Sequence, residues 1–267
     1  MDANVPFYGS YFGRRHIRYQ KRPDFRPVPT LASASGVMPD PAQHRPPHIP
    51  ARLLAWWRFD EGGGEIAQDA SGNKHDAKIV RATRTPDAKL GEALKFDGNS
   101  HVEAGGLGAH QTLSVALWVK TGELKNTWSP LLFTSSAQQS AFHFSLLRDG
   151  TPNVAINCGD KNWTHRRAKR SLADGQWHHL AVVCDSRLGG NIRFYIDGRK
   201  DTDIPLDTDV PLDLAAFRLG AWSTWERNPD NNFHGTLDDV RIYIGLLGDN
   251  EVAELAKDAP LRTAASQ

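Results

Sequence analysis

The sequence predicts an all-β protein, a sandwich of two antiparallel sheets accompanied by one short helix. Three observations carry this prediction: short segments of alternating apolar and polar residues, Asp-Gly pairs between them, and one helical pattern near the C-terminus. Alternation with a period of two is typical of strands, and many short strands joined by tight turns are typical of sandwiches. With 267 residues and 39% hydrophobic content, the chain can bury one large core.

The first fifty residues differ from the rest of the chain. Residues 1–50 hold nine of the sixteen prolines and have seven Lys/Arg against three Asp/Glu, a net charge of +4. Residues 27–50 are predicted to be an extended, proline-rich linker, because proline cannot donate to a sheet ladder. In residues 7–26 aromatic and basic residues are interleaved, which is one pattern of nucleic-acid binding. Since no folded nucleic-acid motif accompanies them, we interpret this segment as an arm that packs on the β domain or on a neighbouring domain.

The strand patterns begin at Leu53. Apolar and polar residues alternate as in half-buried strands over residues 113–120, 142–147, 191–196 and 239–244. The run Leu180-Ala181-Val182-Val183-Cys184 is instead apolar on both faces, which predicts a central strand.

Asp-Gly pairs mark the turns between these strands. Three such pairs are Asp97-Gly98, Asp149-Gly150 and Asp197-Gly198. Such pairs tolerate the positive φ angles of two-residue hairpin loops, so each is predicted to join two paired strands.

One helix is predicted, from Asp249 to Lys257. Asp249 is the expected N-cap, and Val252 and Leu255 are spaced to dock on a sheet.

Three motifs in order suggest a family. They are Trp57–Gly64 (W-x-F-D-E-G-x-G), Asp69–Asn73 (D-x-S-G-N) and Phe233–Tyr243 (F-x-G-x-L-D-D-V-R-I-Y), and Trp177–Val183 and Gly91–Gly98 add two further elements. The combination resembles bacterial laminin-G-like modules of the concanavalin A-like lectin/glucanase superfamily, from about Leu53 to Lys257. The resemblance implies a two-sheet antiparallel jelly-roll sandwich with a short C-terminal helix and an irregular N-terminal arm. The expected organisation is an arm and linker over 1–50, a jelly-roll domain over 51–259, and a tail over 260–267.

The resemblance also implies a structural calcium ion (Ca2+). Its ligands would be Asp69 and Asn73 of the D-x-S-G-N turn together with Asp238 near the last strand, because calcium takes several oxygen ligands. The pair Asp238-Asp239 leaves open which carboxylate points inward. The alternative is that Asp69 and Asn73 form Asx turns that cap a loop without a metal.

No catalytic set accompanies these motifs. Glucanases with this fold need two carboxylates about 5–10 Å apart across a cleft, and acids spaced on one face of a strand are not found. A G-x-S-x-G or Cys/His nucleophile context is also missing from the sequence. We therefore expect a non-catalytic module, with a glycoside hydrolase or lyase as the less favoured alternative.

Tryptophans in polar, loop-like contexts indicate a carbohydrate site. The predicted ligand-binding residues combine aromatic rings with hydrogen-bonding groups; they are Trp128, Asn162, Trp163, Arg166, Trp222 and Trp225. The alternative is that these rings plug sheet edges or cover the core. The expected function is a carbohydrate-binding accessory domain; the alternative is a protein-interaction or spacer domain of a larger extracellular or cell-surface protein.

Composition limits the other function classes. No run of about 18 apolar residues is present, so no membrane span is expected, and the first twenty residues lack a signal peptide's apolar stretch. A net charge of +1 gives no general attraction to nucleic acid or membranes. The expected partners are a glycan or a protein surface, with a neighbouring domain contacting residues 7–26. Cys158 and Cys184 are either cross-linked or two free thiols.

Overall fold

The protein is described from a computed structural model that covers residues 47–134, 139–160, 162–222 and 232–257. All of these belong to the unit Pro39–Gln267. Residues 1–46 of the predicted arm, Trp225 and the predicted tail lie outside the described residues.

The described residues form eighteen strands and one helix. In chain order the strands are β1 (Arg52–Trp57), β2 (Ile66–Ala67), β3 (Ala77–Val80), β4 (Thr83–Thr85), β5 (Ala93–Asp97), β6 (His101–Gly105), β7 (Ala109–His110), β8 (Thr112–Lys120), β9 (Trp128–Thr134), β10 (Phe142–Leu147), β11 (Pro152–Asn157), β12 (Trp163–Arg167), β13 (Trp177–Asp185), β14 (Gly190–Ile196), β15 (Arg199–Leu206), β16 (Leu212–Asp213), β17 (Ala216–Leu219) and β18 (His234–Ile244). The helix α1 spans Asp249–Leu255. Among the described residues, no helix has the length and apolar character that crossing a membrane requires.

The strands form two large antiparallel sheets, which confirms the predicted all-β sandwich. Sheet I has the order β15-β14-β13-β8-β18-β5-β4, and β1 also pairs with β18. Sheet II has the order β12-β11-β10-β9-β17-β6-β3-β2, and β16 and β7 form a small separate pair. The first and last strands of the domain are therefore neighbours.

One hydrophobic core lies between the two sheets. Leu117 and Val182 of sheet I, Phe144 and Ile156 of sheet II, and the first-strand residue Trp57 all have no exposed surface. Burying a large apolar side chain contributes roughly 1.5–3 kcal/mol, so this cluster is the main source of stability.

The second face of sheet I is covered as well, which corrects the prediction of a half-buried strand over 113–120. In β8 every residue from Thr112 to Val119 is buried. Ala116 belongs to a second cluster that includes Tyr195 of β14 and Val252 of α1. The helix hides the second face locally, so β8 is buried on both sides. The run Leu180–Cys184 in β13 is buried on both faces, as predicted.

The helix begins at Asp249, as predicted, but it ends at Leu255 instead of Lys257 and has a different N-cap. Gly248, not Asp249, is the N-cap, and its backbone N–H donates to Glu251 Oε2 at 2.7 Å. Asp249 is the first helical residue, and its carboxylate accepts a hydrogen bond from the Tyr195 hydroxyl at 2.7 Å. The Asp249 carboxylate therefore binds β14 instead of capping the N-terminus of the helix.

Of the three Asp-Gly pairs that were predicted to be hairpins, two form them. Asp149-Gly150 joins β10 to β11, and Asp197-Gly198 joins β14 to β15 with φ angles of 52° and 75°. Asp97-Gly98 is different, because it leads from β5 in sheet I to β6 in sheet II. Gly98 still needs its positive φ of 85° for the tight reversal, but the strands that follow diverge into separate sheets.

Cys158 and Cys184 are free thiols. Cys184 lies fully buried in the core, and burial raises the pKa of its thiol.

Candidate functional site

A group of five aromatic side chains, called here the aromatic cluster, lies on the face of sheet II that points away from the core. Its members are Trp128, Phe133, His143, Trp163 and Trp222. The rings of Phe133 and His143 are stacked, with their centroids 4.0 Å apart. The ring centroids of Trp163 and Trp222 lie 4.5 and 6.1 Å from that of His143. Trp222 also contacts Phe133 at 4.6 Å and Trp128 at 6.2 Å. The cluster is one continuous surface of touching rings.

Strand register places His143 at the centre of the cluster. His143 lies opposite Phe133 on β9 and opposite Ala155 on β11. Its neighbours Phe142 and Phe144 point into the core, so His143 points outward. Ala155 carries only a methyl group, which leaves room for the Trp163 ring to reach across β11 to His143.

Trp222 reaches the cluster from beyond the end of β17. Its backbone N–H donates to Asn232 Oδ1 at 3.1 Å, and Asn232 Nδ2 donates to the carbonyl of Gly98 at 2.7 Å. Asn126 Nδ2 holds the carbonyl of Asn232 at 2.9 Å. Two asparagines thus fix the backbone from which the Trp222 ring extends over Phe133.

The outer rings of the cluster remain accessible. Trp128 is 39% exposed, and Trp163 and Trp222 are half-buried, whereas Phe133 and His143 are buried beneath them. Partly exposed indole rings beside polar groups can stack on the apolar face of a ligand.

Three buried polar side chains, called here the polar floor, lie on the same face of sheet II. They are His143, Ser145 and Asn153, and Ser145 lies directly opposite Asn153 in the register. The Nε2 atom of His143, the Oγ atom of Ser145 and the Nδ2 atom of Asn153 are buried without a hydrogen-bond partner. Burial lowers the pKa of His143 to about 4, although a hydrogen bond with the Thr134 backbone opposes the shift. The ring is therefore neutral near pH 7.

A charged pair borders the cluster. Arg218 of β17 lies opposite Phe133 and also opposite Glu103 of β6. Its guanidinium contacts Glu103 Oε1 at 2.8 Å, and His101 Nε2 contacts the same oxygen at 3.1 Å. The hydrogen bond with His101, followed by that with Arg218, lowers the pKa of Glu103. Glu103 is therefore an anion that is paired with the Arg218 cation at the edge of the cluster.

The structure brings three of the predicted tryptophans together and separates the other ligand-binding residues. Trp128, Trp163 and Trp222 meet in the cluster. Asn162 is exposed in the turn just before Trp163. Arg166 is three residues after Trp163 on β12, so the two side chains point to opposite faces of the strand. Arg166 Nε donates to the carbonyl of Pro205 at 2.9 Å, away from the cluster.

Sequence reasoning missed the interior of the site. His143 and Ser145 lie in the predicted strand over 142–147, where polar residues were expected to face solvent, whereas the strands that carry Phe133, Asn153 and Arg218 were not predicted. The available signal was His143 and Ser145, two polar residues that share one face of a strand and alternate with aromatic core residues.

The predicted calcium ligands form hydrogen bonds with different segments of the chain. Asp69 accepts four hydrogen bonds, from the backbone N–H groups of Trp56, Ser71 and His75 and from the Ser71 hydroxyl, at 2.8–3.0 Å. Asn73 Nδ2 donates to the carbonyl of Leu54 at 3.0 Å. These hydrogen bonds form an Asx-type turn in which N–H and O–H groups of the protein satisfy the Asp69 carboxylate.

Asp238 faces a different segment. Its Oδ2 accepts backbone N–H groups of Lys89 and Leu90 at 2.9 and 2.8 Å, while its Oδ1 is buried without a partner. Burial raises the pKa of Asp238 to about 7, and the nearby carboxylates of Asp239 and Asp60 add to the shift. Within the described ranges, no three or more His, Cys, Asp or Glu residues are grouped so as to hold a metal.

Comparison with known proteins identifies the fold family. A family model, Laminin_G_3, described as the concanavalin A-like lectin/glucanases superfamily, matches residues 96–253. No curated protein matches the chain.

Solved structures with a similar fold include carbohydrate-related and toxin domains. Domain 4 of AbnA, a GH43 extracellular arabinanase from Geobacillus stearothermophilus, in complex with arabinotriose, has a TM-score of 0.60 and 27% identity. That match covers 78% of this chain and 99% of that domain. The binding domain of Paraclostridial Mosquitocidal Protein 1 has a TM-score of 0.63 and 15% identity, covering 76% of this chain and 51% of that one. The chain thus spans about half of that toxin domain, whose likeness concerns the fold alone.

Proposed function

Because the chain belongs to the concanavalin A-like lectin/glucanases superfamily, we propose that it is a non-catalytic carbohydrate-binding module whose site is the aromatic cluster. The observation that carries the proposal is the convergence of Trp128, Trp163 and Trp222, which are far apart in sequence, around His143. The arabinanase domain described in complex with arabinotriose supports a glycan as the ligand class. Its description as extracellular supports the same location for this chain.

The chemistry of the cluster fits a sugar. A sugar ring has an apolar face and a rim of hydroxyl groups, so it needs an aromatic surface beside hydrogen-bonding groups. The half-exposed Trp128 and Trp163 supply the surface, and the polar floor and the Arg218–Glu103 pair supply the polar groups.

The same residues support binding without catalysis. Glycoside hydrolysis needs an acid and a second carboxylate about 5–10 Å apart. The five cluster side chains include no carboxylate, and the neighbouring Glu103 is engaged by Arg218 and His101.

The test is Trp163→Ala with isothermal titration against a panel of oligosaccharides. Losing a half-buried stacking ring is expected to weaken binding at least tenfold. The matched control is Trp177→Ala, because Trp177 is also half-buried but lies on sheet I and contacts Asp87. Equal binding by wild type and Trp163→Ala would remove the cluster from the site, and a wild type that binds no oligosaccharide would favour the protein-interaction alternative.

We also propose a structural calcium ion at Asp69, Asn73 and Asp238, as the family resemblance implies. Its support is the buried, unpartnered Oδ1 of Asp238, because a carboxylate oxygen in that state gains from a cation. The four hydrogen bonds on Asp69 favour the alternative of a metal-free Asx turn.

Asp238→Asn separates these alternatives by thermal unfolding in calcium and in EDTA. With a bound ion, calcium raises the Tm of the wild type and of the exposed control Asp207→Asn, but not that of Asp238→Asn. Without one, all three respond equally. The variant is then the more stable above pH 7, because the pKa of Asp238 rises from 3.8 to about 7 on folding, so ionisation favours the unfolded chain.

A further inference from the structure

We propose that the polar floor of His143, Ser145 and Asn153 determines the specificity of the site and selects an uncharged saccharide. The proposal rests on the carbohydrate-binding function proposed above and names the class of glycan that the site takes. Three features carry it: the unpartnered polar atoms, their hydrogen-bonding chemistry, and the pairing of the charges around them.

The three unpartnered atoms form a compact group. Ser145 and Asn153 are cross-strand neighbours, and His143 precedes Ser145 by two residues on the same face. Sheet geometry puts such side chains about 5 and 7 Å apart. Each residue is at least nine-tenths buried, with exposed fractions of 6%, 0% and 3%. One buried polar group without a partner costs about 1–3 kcal/mol, so three together indicate a place where another molecule supplies the partners.

The chemistry of the floor matches hydroxyl groups. Asn153 Nδ2 can only donate, Ser145 Oγ donates or accepts, and neutral His143 Nε2 accepts when the proton is on the other ring nitrogen. A ligand must offer donors and acceptors side by side to satisfy all three. Neighbouring hydroxyl groups on a sugar ring do this, because each one both donates and accepts.

The surrounding charges disfavour an acidic sugar. The two arginines that flank these residues in the register are already paired: Arg218 with Glu103 at 2.8 Å and Arg167 with Asp149 at 3.4 Å. His143 carries no charge near pH 7, since burial lowers its pKa to about 4. A uronate or sulfated sugar would therefore lose hydration and gain little from Arg218, which Glu103 holds. Its one accessible cation in this flanking pair would be the exposed Arg167, whose contact with Asp149 is weak.

Access to the floor requires a ring to move. The rings of Trp163 and Trp222 both lie against His143, and the Nε2 atom of His143 is buried. Trp163 lies within β12, opposite Asn157, and Trp222 lies three residues beyond the end of β17, where Asn232 holds its backbone N–H. A sugar that reaches His143 therefore has to displace one of these two rings, and tryptophan fluorescence should change on binding.

The experiment compares Ser145→Ala, Asn153→Ala and His143→Phe with wild type by isothermal titration. The probes are neutral oligomers of arabinose, xylose and glucose, and an oligomer of galacturonic acid. Wild type is expected to bind a neutral oligomer most tightly, and each variant to bind it about tenfold more weakly. His143→Gln, which keeps an acceptor, should recover part of the loss. The matched control is His165→Ala, because His165 shares the face but is exposed on the edge strand β12.

Several outcomes would overturn the proposal. If Trp163→Ala loses binding while the three floor variants bind as wild type does, the carbohydrate function stands and the floor holds only buried water. Tightest binding of the galacturonic acid oligomer would overturn the selection of an uncharged sugar. A wild type that binds none of the probes would remove both proposals. Ser145→Ala and Asn153→Ala remove few atoms, so the comparison survives a folding defect in His143→Phe.

Discussion

Two buried histidines show how tertiary burial sets the chemistry of single residues. His143 lies on the outer face of sheet II, and His179 lies on the outer face of sheet I with its ring 5.3 Å from Trp118. Burial lowers the pKa of His143 to about 4 and that of His179 to about 3. Each also has one buried ring nitrogen without a partner. Both side chains are therefore neutral hydrogen-bonding groups in the folded protein.

Acid is expected to destabilise the protein through these histidines. The unfolded chain takes up protons below about pH 6.5, while the folded chain holds both rings neutral, so the free energy of unfolding falls as the pH falls from about 6.5 towards 4. We expect each histidine to account for about 1–3 kcal/mol of this loss. Urea unfolding at pH 7.0, 5.5 and 4.5 measures the slope.

The variant His143→Phe isolates one of the two contributions. Phenylalanine keeps a ring against Phe133 but cannot be protonated, so the variant should show a shallower decline in stability between pH 6.5 and 4. An identical decline in wild type and variant would mean that His143 is protonated equally in both states and is not desolvated by the cluster.

At the scale of elements, α1 covers the second face of sheet I. Val252 packs in the cluster with Ala116, Ala181 and Tyr195. Ser114 of β8 adds a buried polar anchor: its hydroxyl donates to the carbonyl of Gly245 at 2.9 Å and accepts from the backbone N–H of Leu247 at 3.1 Å. The helix is therefore part of the packed structure.

Val252→Ala tests that conclusion. Removing buried methyl groups under the helix is expected to lower the free energy of unfolding by about 1–3 kcal/mol, measured by urea unfolding at pH 7. The control Glu254→Ala, at an exposed position on the same helix, should change it by less than about 0.5 kcal/mol. If Val252→Ala is as stable as the control, the helix does not unfold together with the sheets.

A β-bulge in the last strand, β18, gives the two acids of the Asp238-Asp239 pair different surroundings. A bulge separates Asp238 from Arg241, and Asp239 has a positive φ of 50°. Before the bulge β18 pairs with β5, and after it β18 pairs with β1. The bulge turns both acids of the Asp238-Asp239 pair into buried residues with different partners: Asp238 meets the Lys89 backbone, and Asp239 pairs with Arg241 at 2.8 Å.

At the scale of the molecule, the two sheets share one core, so they are expected to unfold together. Phe144→Ala removes a fully buried ring of sheet II and should cost about 3–5 kcal/mol. Tryptophan fluorescence and far-ultraviolet circular dichroism should give the same shifted urea midpoint, because one cluster spans both sheets. Two separated transitions in the variant would show that the sheets are independent units.

The sequence alone predicted the features that depend on near neighbours. Alternation identified β8, β10, β14 and β18, two Asp-Gly pairs identified hairpins, and the motifs at Trp57 and Phe233 identified the family and the fold class. The helix was found within two residues of its end, although its N-cap was placed one residue late. These features follow from local backbone preferences and from the spacing of apolar side chains, both of which are determined by short segments of the sequence.

Only the tertiary structure decided which residues form the site. Trp128 and Trp222 meet because the strand order places β9 beside β17, and His143 reaches them because β10 is the next strand. His143 and Ser145, which alternation predicted to face solvent, are buried, and so is Asn153 on the neighbouring strand β11. Contacts between distant segments depend on sheet order and on what covers each face. The sequence therefore determined the fold class and several of the strands, and the packing of the sheets determined the chemistry that the strands carry.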